Sequence, residues 1–181
     1  RKGRGNAWVS RSRDRLTLRL GRHDSHVSVP PAVETVRFSN MGGSVHVTAL
    51  NAALRGKVMG GDMRLDRVTG DCSAHVAGGK LKMALTPDWT GTVELNVDGG
   101  TIDLELPVGL CDSSAATRLK ATCLGGKISV DPGLGLDEAE TRPGECRLDA
   151  TIGKPSTEAP PNRISLRTAG GKIQISCHED S

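Results

Sequence analysis

Four carboxylates recur at alternating positions behind paired glycines: Asp62 and Asp66 in "GGDMRLD", and Asp103 and Glu105 in "GGTIDLE". Residues two apart on a strand share one face. Such a flank of carboxylates is what acid–base cleavage of a glycan would require. Arg64, Lys80 and Lys82 fall on the same flank, however, and cross-strand charge pairing accounts for the pattern without a reaction.

Imidazole and thiol groups offer less. "RHDSHV" sets His23 and His26 three apart around Asp24, and "SCHEDS" groups Cys177 with His178, Glu179 and Asp180. Residues three apart on an extended chain point to opposite faces, so neither group presents a ligand set for a metal. His46 and His75 read as outward and solvated. The five cysteines form no C-x-x-C, which leaves a zinc knuckle and a thioredoxin-like site without support. Cys72, Cys123 and Cys177 lie in core register and read as small buried apolar groups. Cys111 and Cys146 lie outside it, so a disulfide, if one forms, is expected to include one of them. G-x-S-x-G, H-E-x-x-H, a P-loop and a dinucleotide fingerprint are all missing. The chain is expected to be no enzyme and to need no cofactor or metal.

Composition narrows the elements that hold these residues. One domain fits 181 residues. With aromatics at 2% and 23 glycines, the core must be aliphatic. A net charge of +3 does not call for nucleic acid. "RKGRG" and "RSRDR" concentrate cations at the start, where a basic flank could follow a membrane anchor upstream of Arg1. No apolar run approaches the roughly 18–20 residues that span a bilayer.

Repetition decides the fold class. Paired glycines stand at Gly42–Gly43, Gly60–Gly61, Gly78–Gly79, Gly99–Gly100, Gly125–Gly126 and Gly170–Gly171, stepping by 18, 18, 21, 26 and 45 residues. Behind each pair runs an apolar–polar alternation, as in "DMRL", "KLKM" and "TIDL". Ahead of each runs another, as in Val93, Leu95, Val97. Period two means strands with one buried face. A recurring strand–Gly-Gly–strand unit predicts an all-β, single-stranded β-solenoid, with the twelve glycines as structural corners where the chain bends and backbones stack. "CRLDATIGK" (146–154) reads as a seventh, degenerate rung. "NAWVSRSRDRLTLRL" reads as a hairpin-like entry, with Pro30 and Pro31 marking an edge or corner after it. The stretches 131–145 and 154–162 are rich in Pro, Gly and acids and read as loop excursions. The expected organisation is a flexible basic N-terminus (1–6), one domain (7–177) and a tail (178–181).

"HVSVPPAVETVRFSNMGGSVHV", "TVELNVDGGTIDLELP" and "NRISLRTAGGKIQIS", in that order, resemble the toast-rack family of adhesin-like domains. The likeness runs over residues 7–176. It implies a right-handed β-solenoid of the bacterial cell envelope or surface, with no catalytic residues to carry over. Three functions are expected from it, in descending order. The first is a non-catalytic structural or interaction module, with a protein or surface glycan as partner. Next comes the extracytoplasmic sensor domain of a membrane-anchored stress or anti-sigma system, and last a carbohydrate-active solenoid enzyme. An envelope or extracellular location is favoured, with an intracellular one left open by the cysteines.

The register makes its own prediction. Leu81 points inward, and Lys82 points outward between Arg64 and Asp103. Leu81→Asp therefore costs about 3 kcal/mol or more, by burying an unpaired carboxylate. Lys82→Asp costs about 0.2–1 kcal/mol. Urea unfolding of the two variants reads the difference, and equal losses would mean a register shifted by one residue.

Overall fold

The computed structural model describes residues 8–29, 32–50, 52–110, 116–134, 136, 140–153 and 162–178. Pro30, Pro31, Cys111, the expected flexible N-terminus and most of 154–162 lie outside these. The described chain is all-β, in one hydrogen-bonded sheet that does not close on itself. Its only helical turns are Val108–Leu110 and Pro132–Leu134.

The entry is a hairpin, as expected. β1 (Trp8–Ser12) pairs antiparallel with β2 (Arg15–Leu20) through a turn at Arg13, whose φ is +48°. From β2 onward each unit contributes one strand to each of two parallel ladders. The first ladder takes β2, β4 (Thr35–Asn40), β6 (Ala53–Val58), β8 (Cys72–Val76) and β10 (Thr92–Val97). The second takes β3 (Ser25–Ser28), β5 (Val45–Leu50), β7 (Met63–Val68), β9 (Gly79–Leu85) and β11 (Gly100–Pro107). The paired glycines lie where the chain leaves one ladder for the other.

Alternation along both ladders sends apolar side chains into one shared core, including Val36, Leu54, Val76 and Leu95 from the first and Val47, Leu65, Met83 and Leu104 from the second. Leu81 is fully buried, and Lys82 faces outward in register with Arg64 on one side and Asp103 on the other. Phe38 stands opposite Gly56, and its ring occupies the space a side chain at Gly56 would need. Trp89, in the connection from β9 to β10, is also buried and donates its indole N–H to the Gly70 carbonyl at 3.3 Å.

The order at the far end departs from simple sequential stacking. β12 (Thr117–Val130) and β15 (Asn162–His178) each run continuously through their glycine pair and serve both ladders. β15, last in the chain, is inserted between β10/β11 and β12, parallel to all of them. β12 thus lies two strand positions from β10 in the first ladder, where β8 lies only one from β6. The expected seventh rung is corrected by the pairing. β14 (Glu145–Ile152) runs antiparallel against the first half of β12, and β13 (Glu140–Arg142) pairs antiparallel beyond it. An alternating segment can pair in either direction, and the tight turn before Glu145, with Gly144 at φ +80°, reverses the chain. The 131–145 stretch is likewise more than a loop, since it contains a 3-10 turn and β13. β15 continues through His178, one residue past the expected domain end.

Within a glycine pair the two residues have different tasks. The second glycines, Gly43, Gly61, Gly79, Gly100, Gly171 and Gly126, form a column down the stack. A Cβ on Gly61, Gly79, Gly100, Gly171 or Gly126 would run into the carbonyl oxygen of the preceding member. The first glycines meet little: a Cβ on Gly60, Gly78, Gly125 or Gly170 would enter open space. Gly78, Gly99, Gly125 and Gly170 are instead held by positive φ. Gly42 and Gly60 meet neither condition.

Gly99 and Gly100 separate the two effects. Gly99 has φ +71° and only a 3.9 Å neighbour, whereas Gly100 has ordinary φ and no room for a Cβ against Gly79. Gly99→Ala is expected to cost about 1–2 kcal/mol, with Gly99→Asn milder because Asn tolerates the left-handed region. Gly100→Ala and Gly100→Asn should both cost about 3 kcal/mol or more, because backbone must move. Chemical denaturation of the four variants checks this; an Asn rescue at Gly100 would refute the column.

Candidate functional site

The carboxylates singled out by spacing are all engaged. Asp62 Oδ1 accepts the Lys80 backbone N–H at 2.8 Å, and Asp24 does the same two corners earlier for Ser44 at 2.7 Å. Asp66 Oδ2 lies 2.7 Å from His46 Nε2 and 2.8 Å from Arg64 Nε. Lys80 reaches Asp103 at 3.0 Å, and Lys82 reaches Glu105 at 2.5 Å. These contacts tie neighbouring strands of the second ladder and pair most of its outer charges, leaving Lys127 opposite Lys172.

The histidines differ from expectation. His46 and His75 are half-buried partners of carboxylates rather than solvated groups, because Asp66 and Asp98 stand within reach of them. His26 packs edge-on against His46, with ring centroids 4.7 Å apart, while His23 is exposed. Among the described residues no group of three His, Cys, Asp or Glu converges on a metal position.

Cysteine positions follow the core register and extend it. Cys72 and Cys123 are buried. Burial, reinforced by the neighbouring Asp71 charge, pushes the Cys72 thiol up to about 12. Cys177 is half-buried. Cys146, expected outside the core, is buried directly opposite Cys123 because β14 pairs with β12.

The position two before each glycine pair lies under the corner. Where it is polar it serves the corner carbonyls: Asn40 Nδ2 donates to Gly43 O at 3.2 Å, and Thr168 Oγ1 donates to Gly170 O at 2.7 Å.

The first ladder's outer face carries a different chemistry. One cluster holds Arg15, Arg19, Arg37, Arg55 and Lys57 on β2, β4 and β6, all exposed. A second holds Arg163, Arg167, Arg118, Lys120 and Arg147 on β15, β12 and β14, also exposed. Arg37 and Arg55 are direct cross-strand partners, as are Arg118 and Arg163. Like charges so placed repel. In the second cluster Asp149 relieves the strain, accepting from Arg118 at 3.2 Å and 3.3 Å and lying 3.5 Å from Lys120. The Arg118 hydrogen bond holds the Asp149 carboxyl below the usual range, and the same bond raises Arg118. Among the described residues no carboxylate lies within ion-pair distance of Arg37 or Arg55.

Shallow hollows open on this face, among them one of about 180 Å³ between Lys120, Thr122, Arg147 and Asp149. A second, of about 350 Å³, has Arg15, Arg37 and Arg55 on one side and Asp71, Ser73 and Glu94 on the other, with Thr35, Ala53 and Thr92 leaving room in it. Another, of about 300 Å³, lies among His75, Asn96, Asp98, Thr122 and Arg167. Guanidinium groups one strand apart can bracket a planar or tetrahedral oxyanion from two sides.

Spacing by itself overlooked this face, although a signal for it was present. The outward positions five and three before each glycine pair read Arg37 and Ser39, Arg55 and Lys57, Ser73 and His75, Glu94 and Asn96, Lys120 and Thr122, Ser165 and Arg167. Charge summed by register position, rather than over the chain, separates the two faces.

No protein-family model, curated protein or solved structure matches the chain. No helix among the described residues is long and apolar enough to cross a membrane.

Proposed function

We propose that the chain is a non-catalytic binding module, a toast-rack-type β-solenoid of the cell envelope or surface, whose first-ladder face holds a polyanionic glycan. One observation carries the reading: the first ladder sets Arg37 against Arg55 within a cluster of five cations and, among the described residues, no carboxylate in ion-pair contact with either, whereas on the second ladder Asp66, Asp103 and Glu105 each engage a cation and the like-charged pair Lys127 and Lys172 stands apart from any such cluster. A bound anion would remove that repulsion.

An extended polymer suits the layout better than a compact ligand. The two clusters are separated by β8 and β10, so Lys57 and Arg167 stand about 14 Å apart at one strand spacing per step. An anionic group repeated along a chain can engage both clusters, and the hollows between them accept sugar rings. Trp8, half-exposed and 5.6 Å from the Arg19 guanidinium, is the one aromatic on this face among the described residues. Binding of single-stranded nucleic acid generally uses a series of stacking rings. The carbohydrase reading has less support, because charge pairing with neighbouring cations accounts for Asp66, Asp103 and Glu105 on the second ladder.

Calorimetry with a sulfated or uronate polysaccharide tests the proposal. Binding should weaken with salt. Arg37→Glu with Arg55→Glu should lower affinity at least about tenfold, which corresponds to 1.4 kcal/mol. Lys127→Glu, on the second ladder, should leave it unchanged, and Asp149→Asn should strengthen it. Equal effects on both ladders, or binding to anionic vesicles with none to the soluble polymers, would overturn the reading.

A further inference from the structure

The last parallel strand and the antiparallel strand that covers it bring two thiols together. Cys123 on β12 and Cys146 on β14 are direct cross-strand partners. Facing residues of an antiparallel pair have Cα atoms about 4.5–5.5 Å apart. That range lies within the span of about 4.4–6.8 Å that a disulfide bridges. Facing residues also send their side chains to the same side of the sheet, and both of these cysteines are buried.

Both thiols, reduced in this structure, lie at the end of the glycine column. Cys123 Sγ lies 3.5 Å from the Gly171 carbonyl, and Cys146 Sγ lies 3.2 Å from the Gly126 carbonyl. A Cβ on Gly126 would come within 2.6 Å of Cys123 Sγ. Burial raises the Cys123 thiol, and the nearby Cys146 raises it further. Cys72 lacks such a neighbour: its register partners are Leu54 and Val93.

The position in the fold gives the pair a purpose. β14 covers the open edge of the first ladder, and beyond it only the short β13 is paired among the described residues. End strands of this kind open first. We propose that Cys123 and Cys146 form a reversible disulfide that staples β14 to the end of the stack, with a small-molecule or protein disulfide, RSSR, as the oxidising co-reactant.

The exchange balances in two steps. Opening of the β13–β14 hairpin exposes Cys146. Its thiolate attacks RSSR, so that one S–S bond breaks, a mixed disulfide forms and one RSH leaves with the thiol proton. Cys123 then attacks the Cys146 sulfur and releases the second RSH. Two protein thiols are oxidised, and one RSSR is reduced to two RSH.

Peptide mapping of the full chain after equilibration with oxidised glutathione tests the assignment. The expected product loses two of its five thiols and gives peptide 121–127 joined to the peptide ending at Arg147 after tryptic digestion. Dithiothreitol should reverse the link. Amide exchange in 145–152 should slow on oxidation, and Tm should rise by about 5–10 °C. Cys123→Ala and Cys146→Ala should each abolish that rise, and Cys72→Ala should not. If either variant fails to fold, the wild-type peptide map still decides. A link through Cys111 or Cys177 instead, or retention of all five thiols, would overturn the disulfide. A 123–146 link without slower exchange or a higher Tm would overturn the staple.

Discussion

The close stacking of one backbone position upon the next governs this structure. At Gly61, Gly79, Gly100, Gly171 and Gly126 the chain passes so near the carbonyl of the neighbouring unit that no side chain fits. That contact aligns every unit at its corner. With the corner aligned, the strands on both sides fall into register, and period-two alternation then sends each residue inward or outward without choice. The aliphatic core follows: successive layers of Val, Leu, Ile and Met meet residues of similar size in the adjoining strand, as Ile102 meets Leu81 and Ile173. Neither a helix nor a large aromatic cluster is needed to fill the narrow space between the ladders.

A stack aligned in this way also multiplies whatever stands on its outer faces. Identical register positions become rows about 4.8 Å apart. A row of mixed sign stabilises neighbouring strands, as Lys80, Asp103, Lys82 and Glu105 do on the second ladder. A row of one sign opposes stacking, as Arg37 and Arg55 do on the first. The same fold therefore has one face whose charges are largely paired, apart from Lys127 opposite Lys172, and one whose cations are not, and the difference is independent of the modest net charge of the chain. Asp149 moderates the second cationic cluster but is absent from the first, so the β2–β6 end is the more strongly cationic.

Much of this was legible in the residues. Paired glycines have few roles in a strand-rich chain, and the alternation around them identifies inward and outward positions, down to Leu81 and Lys82. What stayed hidden is physical in origin. Parallel strands of one pattern are interchangeable as neighbours, so nothing local distinguishes a β15 stacked beyond β12 from one inserted beside β10. Alternation does not encode direction either, and thus 146–152 could pass for another rung. The net charge of the whole chain does not disclose the cationic face, because carboxylates elsewhere in the sequence, such as Asp14, Glu34 and Asp88 in the connections, offset its cations. Cys146 likewise enters the core only through the antiparallel pairing of β14, which sets it opposite Cys123.

The antiparallel strand at the end of the stack links the two chemical features of the molecule. β14 contributes Arg147 and Asp149 to the outer face and Cys146 to the interior. On a strand these sets must alternate, so whatever holds Cys146 against Cys123 also holds Arg147 beside Thr122 and Asp149 beside Lys120. Loss of β14 would expose the edge of β12 as an unpaired row of backbone groups, the kind of edge that recruits another strand. It would also remove Asp149 from Arg118 and leave Arg118 facing Arg163 unrelieved, in the arrangement already present at Arg37 and Arg55. The end strand thus sets both the length of the stack and the charge of its second cluster, and a covalent tie beneath it would act on both at once.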